Sequence, residues 1–273
     1  MIEVREVTKG WDEFVESSPQ GTIFSTTTWC DLIGQPYHIW GVYKGKELIG
    51  GAANFDTPAP ITPFQGILVK QERKYTTTMS LHNEVANALM PYLPDEFYNH
   101  YEYLDIRPFK WAGNWDVNVR YTYVVYPGIP EKMWDELEKK TRYAINSNTV
   151  GMKVPRITEF ISLYKHTFER KGLQPTASDD IVEKVYSNLD SHLYISLDGE
   201  AGVLMIRDSK RSYYILGASK GEGGSSYILW KALLWEGEYW GEVDMVGCND
   251  QKIGLFKRGF GGELKSYYGV RRK

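Results

Sequence analysis

The chain has 273 residues, of which 42% are hydrophobic and 25% charged, with 20 Tyr, 9 Trp and a formal net charge of −3. That length admits one large domain or two of about 130 residues each, with apolar content enough for a full core. The negative balance excludes a surface that wraps nucleic acid along its whole extent.

In chain order, Trp11–Ser17 and Thr27–Ile33 read as short helices, the second with Thr26 or Thr27 as N-cap and Gly34 past its end. Tyr37–Tyr43 and Glu47–Phe55 read as a hairpin turning at Lys44-Gly45-Lys46, and the prolines of Thr57–Pro63 make that stretch an irregular loop. A short strand at Gly66–Val69, a helix over Glu72–Pro91 with Leu81, Val85, Ala86 and Leu89 on one face, and a strand at Tyr101–Ile106 follow. Tyr121–Tyr126 alternates as a strand. Three helices are then expected, at Glu131–Asn148 (Trp134, Leu137, Thr141 and Ile145 inward), Thr158–Lys171 (Phe160, Ile161, Tyr164 and Phe168 inward) and Asp179–Leu189 behind Ser178.

From Leu193 the order of the first half returns. A hairpin, Leu193–Leu197 with Ala201–Ile206, turns at Asp198-Gly199; a strand covers Ser212–Gly217; a Gly-rich loop, Lys220–Gly224, opens a helix over Ser225–Tyr239; a short strand covers Val243–Val246. Each half reads hairpin, strand, long helix, strand, with Tyr103–Arg107 standing where Val243–Gly247 stands. This is a duplication of architecture more than of sequence. The boundary is expected at Pro127–Pro130, giving units 1–127 and 128–273, with the last residues free to return to the first unit.

The stretch Gly241–Glu263 concentrates the chemistry. After Asp244 and Gly247 comes Phe256-Lys257-Arg258-Gly259-Phe260-Gly261-Gly262, two cations between two aromatics, ending in glycines. A cation held against aromatic walls is partly desolvated and stabilises developing negative charge more strongly than it would in water. A bulged hairpin with solvated Lys257 and Arg258 is the plainer reading.

Much other chemistry is unsupported. The five histidines and the isolated Cys30 and Cys248 show no metal-ligand spacing or disulfide framework, so no metal is expected and the reducing cytoplasm is the default compartment. The N-terminus lacks the apolar core of a signal peptide, and the most apolar helical stretch, Tyr227–Trp235, is far too short to span a bilayer. There is no G-x-S-x-G elbow and no Walker A motif; the loop Lys220–Ser226 could cradle a phosphate on helix N–H groups, although Glu222 opposes it.

Taken together, the motifs resemble the FemXAB family and the FemAB-like acetyltransferase group. The matching residues are Phe24–Trp29, Trp115 with Arg120-Tyr121-Thr122-Tyr123, Arg142 with Ile145, Asn146 and Gly151, Tyr213–Ser219, and Asp244 with Phe256–Gly262, spread in order along most of the chain. The resemblance implies an α/β fold of two tandem GNAT-like subdomains, each a mixed sheet flanked by helices. It also implies transfer of an activated aminoacyl or acyl group to an amine acceptor, a small molecule or a peptide. Lys257 would then steady the donor carbonyl as it becomes an oxyanion, Asp244 would accept the amine's proton, and replacement of Lys257 by Met would slow transfer and spare the fold. Arg142, Tyr121, Tyr214, Trp115, Phe256 and Arg258 are the substrate-binding candidates, and Lys220, Gly223 and Ser225 those for a donor phosphate.

The sequence departs from the family after Trp29, where Cys30–Gly34 carries no cation, and it has no long helical-hairpin insertion. Three readings stay open. One is a transferase that uses aminoacyl-tRNA, meeting only the acceptor end of the tRNA. The second is an acyl-CoA-dependent N-acyltransferase, and the third a catalytically silent binding module. No cofactor is expected to be tightly bound in any of them.

Overall fold

The computed structural model describes residues 1–148, 151–221, 224–238 and 241–273. Over these the chain divides into two compact units, Met1–Arg120 with Ser266–Lys273, and Tyr121–Lys265. The division falls inside a long strand, Trp115–Val125, ahead of the prolines at 127–130 where the sequence suggested it.

The first unit contains β1 (Ile2–Glu6), α1 (Trp11–Ser17), α2 (Thr27–Ile33), β2 (Tyr37–Lys44), β3 (Glu47–Phe55), β4 (Leu68–Val69), α3 (Tyr75–Leu89), β5 (Glu96–Tyr98), α4 (Arg107–Ala112) and the start of β6 (Trp115–Val125). Strands β1 to β4 form an antiparallel sheet in sequence order. Its central hairpin closes tightly, with Lys44 opposite Glu47 and Gly45 at φ 65°, a conformation that glycine adopts at no steric cost. The N-cap of α2 is Thr26, whose hydroxyl accepts the Trp29 N–H at 3.2 Å. Helix α3 buries Leu81, Val85, Ala86 and Leu89 against Val42, Ile49 and Ala52.

The expected strand at Tyr101–Ile106 is absent. The strand of this region lies earlier, at β5, and pairs antiparallel with the C-terminal residues 269–271. The reason is Asp105: its carboxylate accepts the Arg107 N–H and both prongs of the Arg107 guanidinium, which turns the chain into α4 with Pro108 in its first turn.

The second unit runs from the end of β6 through α5 (Pro130–Glu136), α6 (Lys139–Ser147), β7 (Met152–Lys153), α7 (Ile157–Glu169), α8 (Asp179–Asn188), β8 (Ser191–Ser196), β9 (Ala201–Arg207), β10 (Ser212–Ser219), α9 (Ser225–Gly237), β11 (Val243–Asp244) and α10 (Gln251–Arg258) to the start of β12 (Glu263–Arg272). Its sheet is mixed, in the order β6-β11-β10-β9-β8-β7. All neighbours are antiparallel except β10 and β11. Helix α9 lays Ile228, Leu229, Ala232 and Leu233 on Val203, Met205 and Val243. The single helix expected over Glu131–Asn148 is two, because Leu137 and Glu138 are extended and the Glu138 N–H is taken by the Gly259 carbonyl. The inward face of α7 is Phe160, Leu163, Tyr164 and Thr167, so Ile161 and Phe168 are only partly buried. Tyr239, at the end of the helix expected over Ser225–Tyr239, lies outside the described residues.

Candidate functional site

Two neighbouring strands part in the second unit. Strand β10 is parallel to β11 only through Ser212 with Val243 and Tyr213 with Asp244. Beyond that point β10 continues to Ser219, whereas the chain after Asp244 follows β6: the Met245 N–H bonds to the Tyr123 carbonyl at 2.8 Å and the Cys248 N–H to the Tyr121 carbonyl at 2.8 Å. The β10 edge past Tyr213 therefore has no ladder partner on that side among the described residues.

A cavity of ≈ 330 Å³ opens there. Tyr214 and Phe256 are aromatic walls, Gly217 and Ala218 of β10 lie along it, and Lys171, Lys252 and Ser225 add polar groups. Gly217 leaves room for Tyr214: a Cβ there would sit 1.9 Å from the Tyr214 hydroxyl. Thr167, on α7, fixes the far end of the strand, since its hydroxyl accepts the Ser219 N–H at 2.8 Å.

Behind this wall lies a turn held by two buried charges. Val246 has φ 52° and Gly247 φ 63°, left-handed conformations that are costly for a β-branched residue. The Asp244 carboxylate, fully buried, accepts the Thr122 hydroxyl at 2.6 Å and the Val246 N–H at 2.8 Å. Its second oxygen, Oδ2, has no hydrogen-bond partner among the described residues. From α10 the Lys257 ammonium donates to the carbonyls of Met245, Val246 and Gly247 at 2.5–2.7 Å and lies 5.4 Å from the Tyr214 ring centroid.

Burial pushes Asp244 up to about 6, against the hydrogen bonds that favour its charged form. Burial pulls Lys257 down to about 8, opposed by the Asp244 charge. The Tyr214 phenol is raised by burial to about 12, so it keeps its proton at neutral pH. Cys248 beside the turn is also raised, again chiefly by burial.

The other sequence candidates scatter. Phe256 joins the cavity and stacks edge-on to Phe260, with ring centroids 5.3 Å apart. Ser225 joins it at the start of α9. Tyr121 contributes backbone only, its N–H bonded to the Asn249 side chain at 2.9 Å and its carbonyl to Cys248, while its side chain is exposed. Arg258 is exposed and paired with Glu138 at 2.6 Å; Lys220 is exposed and paired with Glu200 at 2.9 Å. Arg142 is half-buried on α6 and lines no part of this cavity. Trp115 belongs to the first unit, where it packs edge-on to Phe97 and Phe109 in the core. Gly223 lies outside the described residues. Sequence reasoning missed Thr167, Lys171 and Lys252, which carry no local motif and come together only through the parting of the strands. Among the described residues no group of three or more His, Cys, Asp or Glu side chains is placed to hold a metal ion.

This architecture is a FemAB-like GNAT fold, a mixed α/β arrangement. The crystal structure of FemX is similar with a TM-score of 0.68 at 16% identity, covering 97% of this chain and 96% of that one. The C-terminal domain of a putative lysylphosphatidylglycerol synthetase from Agrobacterium fabrum is similar with a TM-score of 0.55 at 11% identity, over 97% of this chain and 92% of its own. L-PGS from Bacillus licheniformis has a TM-score of 0.55 at 10% identity, over 96% and 91%. At such identities the likeness is one of fold. No family model and no curated relative matches the sequence.

Proposed function

We propose that the chain transfers an acyl or aminoacyl group from an activated ester or thioester to an amine. The observation that carries this reading is the unpaired edge of β10 beside a cavity walled by Tyr214 and Phe256. An extended donor arm can pair with that edge as an added strand would, leaving its reactive carbonyl beside Tyr214. The amine attacks the carbonyl carbon and the C–O π pair moves onto oxygen. Collapse of that intermediate breaks the bond to the donor's ester oxygen or thioester sulfur, which takes up the proton lost by the attacking nitrogen and leaves as the alcohol or thiol. The neutral phenol of Tyr214 donates a hydrogen bond to the oxygen as its charge develops. Lys257 adds a positive field from 5.4 Å beyond the ring, while its protons stay on the three carbonyls of the turn. Asp244 in this scheme orders the turn and takes no proton from the amine, because its free oxygen is sealed from solvent. Phe256 packs against the donor arm, and Ser225 at the start of α9 meets a donor phosphate.

The donor class has two candidates. Aminoacyl-tRNA is what the family resemblance implies, and the FemX likeness over 97% of the chain favours it. Acyl-CoA is favoured by the open strand edge, since its donor arm is an extended chain bearing amides. Thermal-shift measurements with coenzyme A, short-chain acyl-CoAs and an aminoacylated minihelix separate them; a ligand at 100 times its dissociation constant adds about 2.7 kcal/mol. In the assay for whichever donor binds, Tyr214→Phe should cut the rate about 100-fold with donor binding kept. Stabilisation by none of the three, or a Tyr214→Phe variant of full rate, removes this reading.

A further inference from the structure

We infer that the face formed by the N-terminus of α3 and by α4 in the first unit docks the protein on an anionic lipid bilayer. Three large apolar side chains stand out there: Tyr75 is 67% exposed, Leu104 52% and Trp111 66%. Tyr75 and Trp111 belong to one neighbourhood, and Leu104 lies three residues before Arg107 in the segment that leads into α4. Helices α3 and α4 pack together, the Arg107 guanidinium lies 5.4 Å from the Trp111 ring centroid, and the same guanidinium feels the Tyr75 hydroxyl electrostatically. Exposed Trp, Tyr and Leu in these neighbouring segments are costly in water and well placed at a lipid headgroup boundary, where an aromatic ring has both apolar and polar surroundings.

The charge around them selects the partner. Arg73 and Lys74 directly precede Tyr75, and Lys110 directly precedes Trp111; all three are exposed and make no ion pair among the described residues. Two acids of this neighbourhood are already engaged: Asp105 with Arg107, and Glu72 with Lys70. A chain with a net charge of −3 thus presents a local excess of positive charge beside these exposed aromatics. Single-stranded nucleic acid, which also seeks aromatics with cations, fits less well. Arg107 already occupies a face of Trp111, and Leu104 offers hydrocarbon in place of a stacking surface. No helix among the described residues is long and apolar enough to cross a membrane, so this docking is peripheral.

The test is co-sedimentation of the full chain with phosphatidylcholine vesicles and with vesicles that also contain phosphatidylglycerol. Each cation near an anionic surface contributes about fivefold, so three give a preference of about 100-fold for the anionic vesicles. Lys74→Gln with Lys110→Gln should weaken anionic binding about 30-fold, and Trp111→Ser should weaken it with the melting temperature unchanged. A charge-matched control, Lys9→Gln with Lys46→Gln, should bind as the parent does. Failure to prefer anionic vesicles, or an equal loss in the control, overturns the assignment. So does binding of a single-stranded oligonucleotide that the Trp111 variant loses while vesicles are ignored; that result would give the face to RNA.

Discussion

Replacement of Lys257 by Met separates a structural duty from a chemical one. The ammonium makes three hydrogen bonds to the carbonyls of Met245, Val246 and Gly247. Bonds to a charged group contribute about 1.5–3 kcal/mol each, so their loss costs about 4–9 kcal/mol. Against this, Met no longer buries a charge. Burial lowers the Lys257 ammonium from 10.5 to about 8, and at about 1.4 kcal/mol per unit this returns about 3 kcal/mol. The net expectation is a loss of about 1–6 kcal/mol, contrary to the sequence-based view that the substitution spares the fold. Urea denaturation of the parent and Lys257→Met at neutral pH measures it. The pH dependence gives a second readout. The folded state releases the Lys257 proton near pH 8 and the unfolded chain near 10.5, so between these values the unfolded chain holds more protons and stability rises with pH. That rise should vanish in the Met variant. Equal urea midpoints together with an unchanged alkaline slope would refute the idea that this side chain holds the turn.

Other outcomes follow from the same geometry. His82 is fully buried with neither ring nitrogen partnered, and burial lowers it to about 4, so stability falls as pH drops from about 6.5 toward 4; His82→Leu should flatten that slope in acid titrations followed by circular dichroism. Gly217→Ala sets a methyl 1.9 Å from the Tyr214 hydroxyl, which must swing aside; donor affinity should fall severalfold with little change in melting temperature, and calorimetric titration checks it. Burial alone would raise Glu236, yet Arg207, Ser212 and Tyr194 hold its carboxylate below the usual range. Glu236→Gln should therefore cost about 3–5 kcal/mol in urea unfolding, by leaving the Arg207 charge poorly matched.

What the sequence reveals and what it hides follow different physics. Helix α2, the hairpin β2–β3 and the helix start at Ser178 are specified within a few residues, by caps, tight-turn glycines and alternation, and they lie where those signals put them. Tyr101–Ile106 has the alternation of a strand, but a single carboxylate with three bonds to Arg107, one of them from its backbone N–H, offers the backbone a better alternative. Val243–Val246 likewise stops short at Asp244, because Asp244 and Lys257 stabilise a left-handed turn that local propensity disfavours at Val246. Lys257 and Asp244 stand out in the sequence as charges in apolar company, and both are buried. Their charge reads correctly; their direction does not, because the lysine faces the carbonyls of a turn twelve to ten residues earlier and meets the cavity only across Tyr214. Direction depends on where α10 packs, and α10 is itself easy to miss: its cap, Asp250, and its apolar residues Ile253 and Phe256 sit among glycines that suggest a hairpin. The cavity is less legible still. Thr167, Lys171 and Lys252 come from α7, the segment after it and α10, and nothing in any one segment announces that β10 will part from β11. A strand shows its pairing edge only when its neighbour leaves it, so the surface that defines the proposed chemistry is a property of topology and has no local code.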